Sequence, residues 1–284
     1  MKIETAFTTL ISTAQLFAHL EDENWVVIDC RHNLTLPEWG QQEYQHAHIP
    51  GAIFAHLDRD LSGPVLPEKG RHPLPEVNQI ANRLGAWGIG NDTQVIVYDA
   101  SGGAFASRLW WQLRFLGHKK VAVLNGGYTQ WTKEEYPIST TIAEHPEQIF
   151  MPNPNWAMLV ETPMIEKIHR DPKFLLVDAR APERFRGEKE PIDPVAGHIP
   201  HAVNRFHGFN LGPDGLFLPE EVLHSQFKSL LNNIPSDHMV VYCGSGVTSC
   251  HHILAMEVAG LPGARLYAGS WSEWIRDPNH PTNP

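Results

Sequence analysis

An internal repeat constrains this sequence more than any other feature. Four motifs recur in the same order, each 143 to 150 residues further along the chain. Short strand–turn patterns look alike in many α/β proteins, but a shared His-Ile-Pro triplet is not a general turn motif. Two copies at this period indicate a duplicated domain rather than a solenoid. The pairs are Asp29-Cys-Arg31 with Asp178-Ala-Arg180, His48-Ile-Pro50 with His198-Ile-Pro200, Gln94–Asp99 with His238–Cys243, and Gly126–Trp131 with Gly269–Trp274.

Each copy alternates short apolar runs with stretches of helical periodicity, which is the pattern of a parallel sheet covered by helices on both faces. We therefore predict an α/β protein with two tandem domains, at residues 1–142 and 157–284. A proline-containing linker is expected at 143–156. The predicted strands are Trp25–Ile28, Val95–Tyr98, Val121–Leu124, Phe174–Val177 and Met239–Tyr242, and the predicted helices are residues 11–20, Pro75–Leu84, Ala104–Phe115, Pro219–Leu231 and Val247–Ala259.

Composition excludes several classes of function. The net charge of −10 disfavours non-specific binding of nucleic acid. The N-terminal residues contain no long apolar stretch and no run approaches a membrane span, so we expect neither a secretory signal nor membrane association. Three cysteines are too few for a disulfide framework. The expectation is a cytoplasmic protein with reduced thiols, monomeric by default.

One cysteine lies where a strand meets a helix in the second copy. Cys243 follows Met239–Tyr242, and Gly244 and Gly246 then permit positive φ and close approach of the backbone to a ligand. Ligands bind at this edge of open α/β sheets, and the N–H groups of the loop and of the helix start favour an anion. The thiolate of Cys243 is the nearest anion, and such settings lower a cysteine pKa to about 3.5–7.5.

The first copy carries Asp99 where the second carries Cys243. A carboxylate cannot accept and release a sulfur atom, so we expect one active site, in the second half, with the first half as a scaffold. The other thiols, Cys30 and Cys250, are expected to be buried and inert. The Asp–Arg and His-Ile-Pro motifs occur in both copies, so their expected role is structural.

Several chemistries use a cysteine in a glycine loop before a helix. A phosphatase needs an arginine six positions after the cysteine, but position 249 is Ser. A disulfide oxidoreductase needs Cys-x-x-Cys, which is absent, since Cys250 lies seven residues on. A cysteine protease needs a paired histidine, which seventeen histidines leave open. Transfer of a sulfur atom through a persulfide is the chemistry that fits a loop this short.

The loop Cys243-Gly-Ser-Gly-Val-Thr248 resembles the active loop of the rhodanese family in its two-domain form, of the type associated with 3-mercaptopyruvate sulfurtransferases. The resemblance extends over nearly the whole chain and includes both Asp-x-Arg motifs, both His-Ile-Pro motifs and Gly269–Trp274. The thiosulfate type usually carries Arg and Lys after the cysteine, where this chain has Gly244 and Ser245. The resemblance thus implies two tandem rhodanese-like domains, the first inactive.

The resemblance also implies a donor site. Arg184 corresponds to a donor-binding arginine, and arginine suits a carboxylate donor because it can donate two parallel hydrogen bonds. Mercaptopyruvate enzymes often add a second arginine near the Glu-Pro segment, but Pro191-Ile-Asp193 holds none, and Arg186 is the candidate substitute. The loop residues expected to bind the donor and the persulfide are Gly244, Gly246, Val247 and Thr248.

A Ser–His–Asp relay of the family maps onto Ser245, His72 and Asp58, although Asp60 is a close alternative to Asp58. Such a relay would help proton transfer to the departing enolate. The implied activity moves sulfur from 3-mercaptopyruvate, or alternatively from thiosulfate, through a Cys243 persulfide to cyanide, a small thiol or a thioredoxin-like protein. No cofactor and no metal is expected, because the pairs His46/His48 and His251/His252 lack further ligands at suitable spacing. A non-catalytic rhodanese-like interaction module is the alternative from another class.

Overall fold

A computed structural model describes residues 6–284 of this protein, and residues 1–5 of the predicted first domain lie outside the described part. The chain separates into two compact units. The first unit comprises the described residues up to Ser62, with Pro75–Pro154 and Pro213–Phe217. The second unit comprises Gly63–Leu74, Asn155–Gly212 and Leu218–Pro284. The units are thus discontinuous in sequence, and a twelve-residue segment of the N-terminal half belongs to the second.

The first unit is built on a five-stranded sheet with the strand order β1-β5-β4-β2-β3, and every strand pair in it is parallel. In the longest pairing, Val27 of β2 lies opposite Ile96 of β4. The elements are β1 (Leu10–Ile11), α1 (Thr13–Ala18), β2 (Trp25–Asp29), α2 (Trp39–His46), β3 (Ile53–Phe54), α3 (Val77–Ala86), β4 (Gln94–Tyr98), α4 (Ala106–Phe115), β5 (Val121–Leu124) and α5 (Gly127–Lys133).

The second unit repeats this arrangement with the strand order β6-β10-β9-β7-β8, again wholly parallel. Short 3₁₀ helices occur at Trp156–Met158, His207–Asn210 and Ser236–His238. The other elements are β6 (Leu159–Val160), α6 (Thr162–Ile168), β7 (Leu175–Asp178), α7 (Pro182–Phe185), β8 (Val203–Asn204), α8 (Glu220–Leu231), β9 (Met239–Tyr242), α9 (Ser249–Val258), β10 (Arg265–Tyr267) and α10 (Ser270–Trp274).

The central strands are buried on both faces, as continuous apolar runs predict. Val240 and Tyr242 of β9 pack with Trp271 and Trp274 of α10 in one core. Because side chains alternate along a strand, Met239 and Val241 face the other way, and they are equally inaccessible to solvent. The predicted α/β class with parallel sheets is confirmed, and the predicted strands differ from the observed ones by at most one residue at either end.

A buried Asp–Arg pair follows the second strand of each unit. Asp29 accepts hydrogen bonds from the guanidinium of Arg31, at 2.6–3.1 Å, and from the hydroxyl of Tyr98. Asp178 and Arg180 repeat the pairing. The arginines then donate to the carbonyl oxygens of Ala47 and of Gly197, which ties the strand end to the following loop. This geometry fits the structural role expected of a motif that both copies share.

No helix within residues 6–284 is long and apolar enough to cross a membrane. The longest, α8, has twelve residues.

Candidate active site

The loop Cys243–Thr248, called the active loop below, connects the buried strand β9 to helix α9. Its first carbonyl groups are turned away from the cysteine. The carbonyl oxygen of Cys243 accepts a hydrogen bond from the N–H of Trp271 at 3.0 Å, and that of Gly244 accepts one from the N–H of Ser272 at 2.9 Å. With these carbonyls bound to the start of α10, the following N–H groups of the loop are available to the cysteine side chain.

The sulfur of Cys243 lies among hydrogen-bond donors. Burial raises the pKa of this thiol, but hydrogen bonds from the Thr248 hydroxyl, the Ser245 N–H and both the hydroxyl and the N–H of Ser249 outweigh that effect, so the pKa is lowered. The Ser249 hydroxyl lies 3.6 Å from the sulfur. The donors stabilise the thiolate because they bind the charged form of the group. This lowered pKa agrees with the nucleophilic role predicted for Cys243 at the carboxyl end of the sheet, a role that stays a prediction here.

Ser270 anchors the start of the active loop and was not among the predicted site residues. Its hydroxyl accepts a hydrogen bond from the N–H of Cys243 at 3.1 Å and donates one to the carbonyl of Tyr267. Its φ of +55° lies in the left-handed region, where the corresponding residue of the first unit is Gly127, with a φ of +56°. A serine in a conformation that favours glycine is a strained choice. The repeat comparison of Gly127 with Ser270 is the signal that could have found it.

The first unit shows what the same loop binds without a thiol. Both carboxylate oxygens of Asp99 accept main-chain hydrogen bonds of 2.7–2.9 Å, so an internal anion occupies the centre of that loop. The homologous position of the second unit carries the sulfur of Cys243. The loop is thus an anion site in both units. The donors to Asp99 are the N–H groups of Ser101, Gly103, Phe105 and Ala106.

Two of the three predicted relay residues meet within the second unit. Nδ1 of His72 lies 2.7 Å from Oγ of Ser245, and both side chains are buried. His72 lies in the Gly63–Leu74 segment, which belongs to the second unit. A residue far from Ser245 in the sequence is therefore close to it in space. Asp58 belongs to the first unit, where its carboxylate lies 3.9 Å from Nδ1 of His56. The role of Asp58 in a relay stays a prediction.

The two predicted donor-binding arginines differ in their surroundings. Arg184 is mostly buried and pairs with two buried carboxylates, with Nη2 at 2.7 Å from Glu190 and 3.1 Å from Asp193. Arg186 is more than half exposed and pairs with the equally exposed Glu188. Arg184 thus forms ion pairs with buried carboxylates, whereas the ion pair of Arg186 lies at the protein surface.

Arg71 lies beside His72 in the sequence but was not among the predicted site residues. Its guanidinium forms an ion pair with Asp193, and the main-chain N–H of Arg71 donates to the hydroxyl of Ser272 at 3.1 Å. Nη2 of Arg71 lies 2.9 Å from the point that a Cβ on Gly244 would occupy. A glycine at this position gives the guanidinium room next to the cysteine. A search for every arginine adjacent to a predicted site residue would have included Arg71.

Three potential metal ligands lie at close range in the first unit. In the described part of the chain, the single group of three potential ligands at close range is His32, His56 and Asp58, in the first unit. Nδ1 of His56 accepts main-chain hydrogen bonds from Asp58 at 3.1 Å and Arg59 at 3.3 Å, so its lone pair is already occupied. Neighbouring Cys30 is completely buried, and burial together with the charges of Asp29 and Asp99 raises the pKa of its thiol. Nδ1 of His56 is therefore not free to bind a metal, and the expectation of a protein without a metal stays a prediction.

Both halves of the chain match the same protein family. A family model described as a rhodanese-like domain matches residues 12–134 and again residues 163–277. The resemblance inferred from the repeat and from the active loop is therefore confirmed.

Individual relatives are similar over most of their length. The chain is 47% identical over 274 residues to a probable 3-mercaptopyruvate sulfurtransferase of Pseudomonas aeruginosa, with 96% of each chain covered. It is 35% identical over 277 residues to a putative thiosulfate sulfurtransferase of Mycobacterium tuberculosis, with 96% of this chain and 95% of that protein covered. Among solved structures, the 3-mercaptopyruvate sulfurtransferase of Leishmania major superposes with a TM-score of 0.83 at 27% identity, covering 94% of this chain and 74% of that one.

Proposed function

This chain belongs to the rhodanese family of sulfurtransferases, and on that premise we propose that it transfers sulfur from 3-mercaptopyruvate through a persulfide on Cys243. The observation that carries the proposal is the lowered pKa of the Cys243 thiol within the main-chain anion site of the active loop. A small anionic sulfur donor and a thiol or cyanide acceptor are the general substrates of such an enzyme. The relative with 47% identity supports 3-mercaptopyruvate as the donor.

The proposed reaction starts with attack of the Cys243 thiolate on the sulfur of 3-mercaptopyruvate. An S–S bond forms, the C–S bond breaks, and its electron pair enters the C3 position, where the adjacent ketone delocalises it as an enolate. The hydrogen of the donor's thiol group then moves to C3, which gives pyruvate and a Cys243 persulfide anion. The charge is unchanged in this step, and no oxidant or reductant is consumed. An acceptor thiolate or cyanide finally attacks the outer sulfur and restores the Cys243 thiolate.

The active loop stabilises both forms of this anion. In the resting enzyme, the N–H groups of Ser245 and Ser249 bind the thiolate. We propose that the outer sulfur of the persulfide, which carries the charge after transfer, binds the N–H groups of Gly244, Gly246, Val247 and Thr248. Fixed donors that already surround the charge need no reorganisation during the reaction, so they lower its barrier.

The proton that moves from the donor's thiol to C3 needs a carrier. The hydrogen-bonded pair of Ser245 and His72 is suited to this task because the hydroxyl can relay a proton to or from the imidazole. Asp58 remains the proposed third member, which would orient the imidazole. Arg184 is proposed to bind the donor's carboxylate through Nη1, because Nε and Nη2 already donate to Glu190 and Asp193.

Thiosulfate is the second candidate donor, which the 35% identical relative of Mycobacterium tuberculosis supports. We further propose a small thiol or a thioredoxin-like protein as acceptor, a cytoplasmic location and a monomeric state. None of the three cysteines forms a disulfide, which suits a reducing compartment. A non-catalytic interaction module agrees with the first unit, which has Asp99 in place of a thiol, but not with the second.

The decisive experiment measures pyruvate and sulfide production from 3-mercaptopyruvate with a thiol acceptor. Wild type should produce both, and Cys243→Ser should produce neither. After incubation with donor alone, the peptide that contains Cys243 should gain about 32 Da, the mass of one sulfur atom. Cys30→Ala is the matched control and should keep the mass gain, because the raised pKa of the Cys30 thiol makes it a poor nucleophile. Wild type without turnover and without the mass gain would refute the proposal.

A further inference from the structure

Two arginine side chains converge on Gly244, the residue after the nucleophile. Nη2 of Arg71 lies 2.9 Å, and Nη1 and Nη2 of Arg184 lie 3.6 Å, from the point that a Cβ at position 244 would occupy. Arg71 comes from the Gly63–Leu74 segment and Arg184 from helix α7, so distant parts of the sequence supply them. Both guanidinium groups therefore lie close to Gly244, within the second unit.

In each of the two guanidinium groups, one nitrogen near Gly244 is not bound to a carboxylate of residues 6–284. The Arg71 guanidinium bonds to Asp193 through Nη1, and Arg184 bonds to Glu190 and Asp193 through Nε and Nη2. Over the residues that the structure describes, neither Nη2 of Arg71 nor Nη1 of Arg184 has a hydrogen-bond acceptor in the protein. One nitrogen of each arginine is thus left for a carboxylate, which accepts up to four hydrogen bonds.

The arginines near Gly244 and the carboxylates that pair with them form a cluster in which positive and negative charges are equal in number. Asp193 bridges Arg71 and Arg184, and Glu190 bridges Arg184 and Arg180. Asp178 pairs with Arg180, so the cluster contains three arginines and three carboxylates. The pKa of Arg71 is lowered, mainly by burial, and the nearby negative charge of Cys243 opposes this shift. The cluster can accept one further negative charge more easily than two, because it has no net positive charge of its own.

We propose that Arg71, and not Arg186, is the second arginine that binds the donor's carboxylate, and that Asp193 limits the donor to a single negative charge. The inference rests on the proposed function, since it assigns the donor's anionic group to the pair Arg71–Arg184. Asp193 holds the two guanidinium groups together in the resting enzyme and neutralises one of them. A monoanionic donor such as 3-mercaptopyruvate suits this site better than the dianion thiosulfate.

The first test does not depend on sulfur transfer. It compares the rates at which iodoacetate, a monocarboxylate, and iodoacetamide, its neutral analogue, alkylate the peptide that contains Cys243. The ratio of the two rates cancels any change in the thiolate fraction. Arg71→Met should lower the iodoacetate-to-iodoacetamide ratio about tenfold, the usual effect of losing a charge-assisted hydrogen bond. Arg71→Lys should give an intermediate ratio, because a lysine retains the charge without the planar fork.

Two further variants decide between the arginines. Arg186→Met should keep the ratio of the wild type, and the exposed Arg170→Met is the matched control for loss of one positive charge. A fall in the ratio with Arg186→Met, or no fall with Arg71→Met, would overturn the assignment of Arg71. Because alkylation needs no donor, this result stands even if wild type fails to turn over 3-mercaptopyruvate, which would refute the proposed function separately.

The second test concerns Asp193. The isosteric variant Asp193→Asn removes one negative charge from the cluster, so the ratio of kcat/KM for thiosulfate to that for 3-mercaptopyruvate should rise about fivefold or more. Near-ultraviolet circular dichroism confirms that the variant is folded. A folded variant with an unchanged ratio would show that Asp193 does not set the donor's charge.

Discussion

Nδ1 of His72 lies 2.7 Å from Oγ of Ser245, although 173 residues separate the two in the chain. The contact places a buried imidazole on the hydroxyl of the active loop, two residues after the nucleophile. A serine and a histidine at hydrogen-bond distance can pass a proton in either direction. This pair is the proposed route of proton transfer in the site.

His72→Gln and Ser245→Ala should therefore affect the two candidate donors unequally. When 3-mercaptopyruvate is the donor, the pyruvate enolate that leaves must be protonated at carbon. When thiosulfate is the donor, sulfite leaves without being protonated. We expect kcat with 3-mercaptopyruvate to fall about 100-fold, as for removal of a general acid–base group, and kcat with thiosulfate to fall much less. Steady-state kinetics with both donors measure the difference. An equal loss with both donors would assign the pair to the structure of the loop instead.

The Ser249 hydroxyl contributes to the activation of Cys243. Although burial raises the pKa of this thiol, the hydrogen bonds that include the one from Ser249 lower it overall. Removing one donor in Ser249→Ala should raise the pKa, so less thiolate should be present at neutral pH. We expect alkylation by iodoacetamide at pH 7 to slow about three- to tenfold, the effect of one hydrogen bond. The variant's rate should approach that of wild type as the pH rises above the thiol pKa in both proteins.

A control for this prediction is available on the same helix. The Cys250 side chain lies one residue further on and is buried, and its sulfur contacts the carbonyl of Gly246. Cys250→Ala should leave the pH profile of Cys243 alkylation unchanged. A profile that is identical in Ser249→Ala and in wild type would contradict the role of the Ser249 hydroxyl.

Asp99 should stabilise the loop of the first unit. Four main-chain N–H groups donate to its carboxylate, and Asp99→Ala would leave those of Gly103, Phe105 and Ala106 buried without an acceptor. We expect a loss of about 3–5 kcal/mol in the free energy of unfolding. Amide hydrogen exchange should report it locally, as faster exchange at Phe105 and Ala106. The exposed Asp92→Asn is the control, since its surface ion pair with Lys120 contributes at most about 1 kcal/mol. Unchanged exchange rates in Asp99→Ala would contradict this account.

The two glycines of the active loop should respond differently to alanine. A Cβ at Gly244 would come within 2.9 Å of Nη2 of Arg71, the far end of a flexible side chain that can move. Gly244→Ala should fold normally and raise KM for the donor several-fold. Gly246 has a φ of +78°, and its Cβ would come within 2.3 Å of the carbonyl oxygen of Ala268. Gly246→Ala should destabilise the protein by about 2–4 kcal/mol.

Thermal unfolding and donor kinetics together separate these two effects. The prediction is wrong if Gly244→Ala unfolds at a markedly lower temperature than wild type, or if Gly246→Ala is as stable as wild type.

The fold could be predicted from the sequence because the patterns that indicate its strands are local. Apolar runs such as Met239–Tyr242 and Val121–Leu124 predict buried strands, and the repeat predicts two similar sheets. Helix ends were less accessible. Residues 11–20 contain a helix that spans Thr13–Ala18, because Ser12 caps it through a reciprocal bond with Gln15.

The site was accessible in part. Cys243, its glycines and the start of α9 are contiguous, so the chemistry of a thiolate in a main-chain anion site follows from the order of residues alone. Ser245 and His72 were paired through the family resemblance, and the structure brings them together within the second unit. Arg71 and Asp193 were missed because nothing in their local sequence distinguishes a donor-site ion pair from a surface one.

The sequence by itself determined the duplicated α/β architecture, the thiol of Cys243 between a strand and a glycine loop, and its replacement by Asp99 in the first copy. These features depend on periodicity and on residue identity, which are readable along the chain. The tertiary structure alone decided which arginines surround the active loop. Residues 63–74 belong to the second unit, so Arg71 faces Gly244 and Asp193 faces two arginines, whereas Arg186, only two residues from Arg184, remains at the surface. Long-range packing sets such contacts, because a side chain's electrostatic partners are chosen by proximity in space rather than in sequence.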